Sequence, residues 1–231
     1  MFLGFYNYTV WLTYFSLVSG ILGIIVSLSG GGHPYLGTFF LLFSGLCDAY
    51  DGKVARMKKV RTEEEKAFGI QIDSLADMVA FGVLPACIGA AMLRVIKYNN
   101  HDSLMSFGHR LLQGNHAIFF FILVVYALAA LIRLAYFNVQ EAMRQKEEDG
   151  ARKTYTGLPV TSASLIFPLV MMFQFSTKVD ITLIYFIVVA IVAVAFVSKF
   201  QIPKPGARGL KIMVVLGVIE FSVLIYLKYF R

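Results

Sequence analysis

The sequence predicts an all-α, polytopic membrane helix bundle of about seven spans (six to eight), a single domain over residues 1–231 with a cytoplasmic N-terminus. Three observations predict it. Hydrophobic residues make up 58% of the chain and charged residues only 15%, with a mean hydropathy of +0.71, a balance that excludes an ordinary soluble globule. Apolar runs recur at the length of about 20 residues that a helix needs to cross the hydrocarbon core. Lys and Arg gather in the short connections between those runs, so the net charge of +7 points to phospholipid headgroups and not to nucleic acid.

The first span is expected over 9–27, ending at the Gly30-Gly31-Gly32 turn, and its length argues against a cleavable signal peptide. Thr13 and Ser16 are three apart and share a helical face, though hydroxyls in membrane helices often bond only their own backbone. The second span, 35–56, carries Asp48 and Asp51 at its end; the third, 68–93, carries Asp73 and Asp77 near its start. Pro85 interrupts the third, and the carbonyl it frees requires a neighbour or a local distortion. Residues 94–114 form a polar connection with an interfacial helix expected at 104–112. The fourth span is expected over 116–139, the fifth over 157–175 with Pro159 and Pro168, the sixth over 180–197 and the seventh over 210–227.

Orientation follows from the bases. With the N-terminus inside, the inner segments 53–66, 144–153 and 199–211 hold fourteen Lys and Arg, and the outer segments hold six, which puts all four acids on the cytoplasmic side. Cys47 and Cys87 lie in apolar segments without metal-binding spacing, so neither a disulfide nor zinc is indicated.

The acids carry the chemistry. Spacings of three and four place each pair on one helical face, and two such faces packed together bring four carboxylates to one point. So many like charges cannot all stay ionised without a cation between them. Hard divalent ions take carboxylate oxygens and keep positions open for phosphate, which makes a metal–phosphate site the first hypothesis. Gly52, Ala55 and Gly69 leave room beside the acids, and Arg56 supplies a permanent cation for a phosphate oxygen. The competing account is solvated acids at helix ends beside small residues that merely let helices pack. Arg133 lies within an apolar stretch of the fourth span, where a cation is costly unless it faces protein, water or an anion. Function is favoured over snorkelling on that ground, and Asn138, five residues on, occupies a different face, so only one of the two is expected to face the site.

The stretches D-A-Y-D-G-K-V-A-R (48–56) and G-I-Q-I-D-S-L-A-D (69–77) resemble the signature of the CDP-alcohol phosphotransferases, integral membrane enzymes of phospholipid synthesis. Asp48, Asp51, Gly52, Ala55, Arg56, Gly69, Asp73 and Asp77 match all its fixed positions. One departure is the gap between Arg56 and Gly69, twelve residues here against the usual eight or nine, with the excess in the charged run M-K-K-V-R-T-E-E-E-K, read as a longer cytoplasmic loop. The run from Asp73 to Ala86, the R-L-A-Y-F-N from Arg133 to Asn138, the T-G-L-P from Thr156 to Pro159 and the V-S-K-F ending the sixth span are similar to the membrane-embedded serine-using branch. Other branches commonly carry Pro in place of Ser74.

The resemblance implies transfer of a phosphatidyl group from CDP-diacylglycerol to the hydroxyl of serine, with release of CMP, in a prokaryotic cell membrane. It implies two Mg²⁺ or Mn²⁺ ions on Asp48, Asp51, Asp73 and Asp77, with Asp77 also taking the hydroxyl proton. Gly52, Ala55, Arg56, Gly69 and Thr13 would bind the CDP moiety, Arg133, Ser74 and Asn138 the acceptor, and the protein would be a homodimer. Glycerol 3-phosphate, inositol or an inositol phosphate as acceptor, and a cation-coupled transporter using the acid cluster, stay open as alternatives.

Overall fold

A computed structural model describes residues 3–30, 33–98, 116–147, 154–177, 180–203 and 207–230. Its helices are α1 (Trp11–Leu28), α2 (Pro34–Met57), α3 (Glu63–Asp77), α4 (Leu84–Tyr98), α5 (His116–Glu147), α6 (Ala163–Thr177), α7 (Thr182–Val197) and α8 (Ala207–Phe230). A π-helical turn, Met78–Val83, joins α3 to α4 without a break, so 63–98 is one rod. Among the described residues three helical stretches are long and apolar enough to cross a membrane: Trp11–Leu28, Glu63–Val95 and His116–Arg144. Val160–Phe173 and Thr182–Val197 are shorter apolar helices. The interfacial helix expected at 104–112 lies outside the described residues.

The helices are apolar on both sides. Inside, Phe81, Leu84, Ile88, Tyr126, Phe167 and Tyr185 are fully buried in one core. Outside, Phe121, Val124 and Ile191 are exposed by 68%, 65% and 62%, so the outward face also seeks an apolar medium, as expected of spans rather than of a globule.

The first two helices pack closely through small residues. Ser44 Oγ donates to Ser16 O (3.0 Å), Ser16 Oγ to Ser44 O (3.4 Å) and Ser19 Oγ to Phe40 O (2.7 Å). A Cβ at Gly37 would overlap Ser27 Oγ, so only glycine allows this approach. The sequence did not single out this serine pairing; only Ser16 was noticed, as a neighbour of Thr13.

Pro85 shows why the rod contains a π turn. It has no N–H to give to Phe81, and the ladder widens so that the Leu84 N–H reaches Val79 O. The orphaned Phe81 carbonyl accepts from the Tyr126 hydroxyl at 2.7 Å, and Pro85 O accepts from the Tyr185 hydroxyl at 2.7 Å. Both compensations expected of an intramembrane proline are present.

Four boundaries differ from the sequence expectation. The rod that holds the third span runs on to Tyr98, so 94–98, expected within the polar connection, is helical. The third helix starts at Glu63 rather than 68, because Thr62 and Glu65 form a capping box and Glu63, Glu64 and Glu65 complement the helix dipole in its first turn. Lys58 donates to Glu65 Oε1 at 2.7 Å, and Asn7 Nδ2 reaches the same oxygen at 3.1 Å. The helix of the fourth span, α5, runs on to Glu147, supported by the Arg144–Glu141 pair at 2.6 Å. The helix of the fifth span, α6, begins only at Ala163. Thr154–Thr156 instead pairs antiparallel with Gln201–Pro203, a two-stranded ribbon in an otherwise helical fold. Gly157 follows it at φ +75°, a region only glycine enters freely, and a short 3₁₀ turn, Val160–Ser162, leads into α6.

Candidate active site

The ends of α2 and α3 bring the acids together. Carboxylate oxygens of Asp48, Asp73 and Asp77 all lie within 4.8 Å of one another. Asp51 is buried beside them, its Oδ2 accepting from Thr13 Oγ1 at 3.3 Å and its carboxylate within hydrogen-bonding reach of Asp73. Asp77 is buried as well, one turn deeper than Asp73. Thr13 is thus a partner of the cluster rather than of its own backbone.

The donor set fits a hard divalent cation. Metal–oxygen bonds of about 2.0–2.5 Å put opposite ligand oxygens about 4–5 Å apart, the span these carboxylates already occupy. Among the described residues no ion pair neutralises any of the four, the recorded pairs being Lys58–Glu65, Lys66–Glu63 and Arg144–Glu141. Buried carboxylates left without a counter-charge are costly, and a bound cation removes that cost.

The small signature residues stand where a ligand would need room. A Cβ at Gly52 would sit 3.5 Å from Arg56 Nη1, so the Arg56 side chain folds back over Gly52. A Cβ at Gly69 would sit 3.0 Å from Arg61 Nη2. Ala55 is half-buried on the turn of α2 that follows Asp51. Beside the cluster opens a cavity of about 840 Å³ with two characters. Asp48, Asp51, Gly52, Lys53 and Arg56 line its charged end; Leu42, Phe43 and Leu46 of α2, Leu165 of α6 and Val218 and Phe221 of α8 line its apolar flank.

The residues expected to meet an acceptor divide into two places. Asn138 Nδ2 donates to Ser74 Oγ at 2.7 Å, which sets the pair beside Asp73 and Asp77. Arg133 is buried, its Nε donating to Leu158 O at 3.0 Å and its guanidinium 5.4 Å from the Phe137 ring. Leu158 and Pro159 line the cavity, so Arg133 braces one of its walls. Sequence reasoning missed Lys53, the α8 wall and the 159–164 segment, all of which face the cavity. The last had a local signal, Gly157 two residues before Pro159, which marks a turn and not a helix start.

Known proteins give the same direction. The chain is 32% identical over 163 residues to a CDP-diacylglycerol–serine O-phosphatidyltransferase of Saccharomyces cerevisiae, covering 66% of this chain and half the length of that relative. It is 28% identical over 191 residues to an archaetidylserine synthase of Methanothermobacter thermautotrophicus, 83% of this chain and 67% of the relative. It is 24% identical over 227 residues to a CDP-diacylglycerol–serine O-phosphatidyltransferase of Methanocaldococcus jannaschii, 95% of this chain and 88% of the relative. A family model described as CDP-alcohol phosphatidyltransferase matches residues 6–201, which includes α1 to α7 and all four acids. An eight-residue signature whose acids meet at one point, within a match over most of the chain, leads to one conclusion: the chain belongs to the CDP-alcohol phosphatidyltransferase family.

Proposed function

We propose that the chain transfers the phosphatidyl group of CDP-diacylglycerol to the hydroxyl of L-serine, giving phosphatidylserine and CMP. The observation that carries this is the cavity joining a carboxylate cluster to an apolar flank, which suits a donor with a charged diphosphate and two acyl chains. Serine is the acceptor favoured by the similarity to the serine O-phosphatidyltransferases of Saccharomyces cerevisiae and Methanocaldococcus jannaschii and to the archaetidylserine synthase of Methanothermobacter thermautotrophicus.

Asp48, Asp51, Asp73 and Asp77 would hold Mg²⁺ or Mn²⁺, two ions in this reading, with Thr13 orienting Asp51. Bound there, the metal would polarise the phosphoryl group and offset charge developing on the CMP phosphate. Arg56, folded over Gly52 at the cavity's charged end, takes a phosphate oxygen, and Gly52, Ala55 and Gly69 leave space for the CDP moiety. Ser74 and Asn138 orient the acceptor, and the buried Arg133 offers its carboxylate a cation. Asp77 accepts the proton of the serine hydroxyl as its oxygen forms a bond to the lipid-side phosphorus, and the bond from that phosphorus to the CMP oxygen breaks. A serine hydroxyl is barely ionised at neutral pH, which is why a positioned base is required.

The same reading makes 1–231 one membrane domain of about seven spans, with the N-terminus and the acids on the cytoplasmic side of a prokaryotic cell membrane. It also takes the working unit to be a homodimer. The test is purified protein with CDP-diacylglycerol, Mg²⁺ or Mn²⁺, and serine, glycerol 3-phosphate or inositol in parallel. CMP release should depend on serine and yield a serine-containing lipid. Equal or faster release with another acceptor would move the chain to another branch, and no release with any would remove the proposed reaction.

A further inference from the structure

Each of the two signature glycines is covered by a guanidinium drawn from the segment that separates them. Arg56 lies over Gly52 on α2, and Arg61 lies over Gly69 on α3. Arg56 belongs to the signature; Arg61 belongs to the lengthened 57–68 segment and matches none of its fixed positions.

Arg61 is poorly satisfied where it stands. Its Nε is buried without a hydrogen-bond partner among the described residues, and its Nη2 makes one long bond, 3.3 Å, to Glu65 O. The neighbouring Lys58 and Lys66 are both paired with glutamates, but Arg61 is in no ion pair among the described residues. A half-buried guanidinium with one orphaned N–H and no direct ion pair, only the more distant Glu65 carboxylate for a counter-charge, is suited to an anion that arrives from outside the chain. Its backbone is well held, because Thr62, the next residue, is the cap of α3 and Lys58 ties the segment to Glu65.

Position names the anion. Gly69 is one helical turn, about 6 Å along the axis, before Asp73 on the acid-bearing face. An oxyanion reaching the cluster therefore comes within range of Arg61. The cavity with its apolar flank is lined by α2, α6 and α8, and Arg61, which precedes α3 and lies over its Gly69, is not among the lining residues. The lipid-side phosphate falls to the Arg56 side, leaving the nucleotide-side phosphate opposite Arg61. We propose that Arg61 is a second phosphate-binding residue, which grips the phosphoryl group that departs with CMP. This rests on the donor assignment made above.

The experiment compares wild type, Arg61→Gln and Arg61→Lys for the KM of CDP-diacylglycerol, the KM of serine, inhibition by CMP, direct CMP binding by calorimetry in Mg²⁺, and the thermal unfolding midpoint. Arg61→Gln should weaken CDP-diacylglycerol and CMP by about tenfold or more, the worth of a charge-assisted hydrogen bond, with the serine KM and the unfolding midpoint held. Arg61→Lys, which keeps the charge but not the fork, should recover part of the loss. A uniform loss in every parameter with a lowered midpoint would make Arg61 a structural tie and overturn the proposal. A shift confined to the serine KM would give the anion to the acceptor's carboxylate and overturn it equally. Should Arg61→Gln fail to fold, unchanged CMP binding in a folded Arg61→Lys refutes the proposal and weakened binding supports it. Wild type that turns over no donor would fail the reaction assignment, while CMP binding in wild type and variant would still decide Arg61.

Discussion

Tyr126→Phe tests whether a distant hydroxyl completes the proline-broken rod. The substitution removes only the donor to Phe81 O and keeps the ring against Phe167 and Phe196, at centroid distances of 5.6 and 5.5 Å. The carbonyl left behind is buried in the core and cannot use the N–H of residue 85, because residue 85 is proline. An orphaned buried acceptor costs about 1–3 kcal/mol in soluble proteins, and interhelical hydrogen bonds in membrane proteins average about 0.6 with a maximum near 1.7, so a loss of about 1–2 kcal/mol is expected. Pro85→Ala supplies the missing N–H and lets the rod satisfy Phe81 O from within. In that background Tyr126→Phe should cost about 0.5 kcal/mol or less, giving a coupling of about 1 kcal/mol in a double-mutant cycle. Unfolding of the four proteins in mixed detergent, followed by helical circular dichroism, measures each corner. Equal costs of Tyr126→Phe in both backgrounds would show that the hydroxyl does not stand in for the proline's absent donor.

Asp48→Asn or Asp73→Asn should abolish CMP release and weaken divalent-ion binding without unfolding the protein, and near-normal turnover at any metal concentration would remove the metal reading. Asp77→Asn should retain CDP-diacylglycerol binding with metal but slow single-turnover chemistry by ~10² or more, the usual worth of a positioned base; donor binding lost in parallel would make Asp77 a ligand only. Gly157→Ala forces a side chain into φ +75° and places its Cβ 2.8 Å from Ser198 O, so the unfolding midpoint should fall by about 5 °C or more, and an unchanged midpoint would mean that the turn is not under that constraint.

The acid site was legible because a helix turns charge spacing into geometry. Three and four residues apart are neighbours on a helical face, so 48/51 and 73/77 could be paired before any contact was seen. The need created by Pro85 was legible too, since a proline always removes the same donor. Who meets that need was not, because Tyr126 comes from another helix and nothing local marks it. Partners that are backbone carbonyls are the hardest to read. Arg133 was noticed for the cost of burying it, yet Leu158 O is an atom every residue owns, and only the fold selects it. Asn138 illustrates the converse: its face was correctly separated from that of Arg133, and its partner Ser74 was singled out independently, but their contact needed the structure. The Thr62–Glu65 box was a readable signal passed over in a run that looked like loop, which shifted the start of α3 and hid the placement of Arg61.

The crossed serine bonds between α1 and α2 have a consequence for conditions under which the protein works. Ser44 lies one turn before Asp48, and both Ser16 and Ser44 are buried. Sliding α2 by a single residue would break both bonds at once, so they act as a vernier that sets how far Asp48 projects toward Asp73. Neutral hydroxyl–carbonyl bonds shielded from solvent are indifferent to ionic strength, whereas exposed ion pairs fade within a Debye length of about 8–10 Å at physiological salt. Under the proposed function the carboxylates would exchange ions and substrates with a variable aqueous phase while the spacing between them is metered from within the buried helix pair.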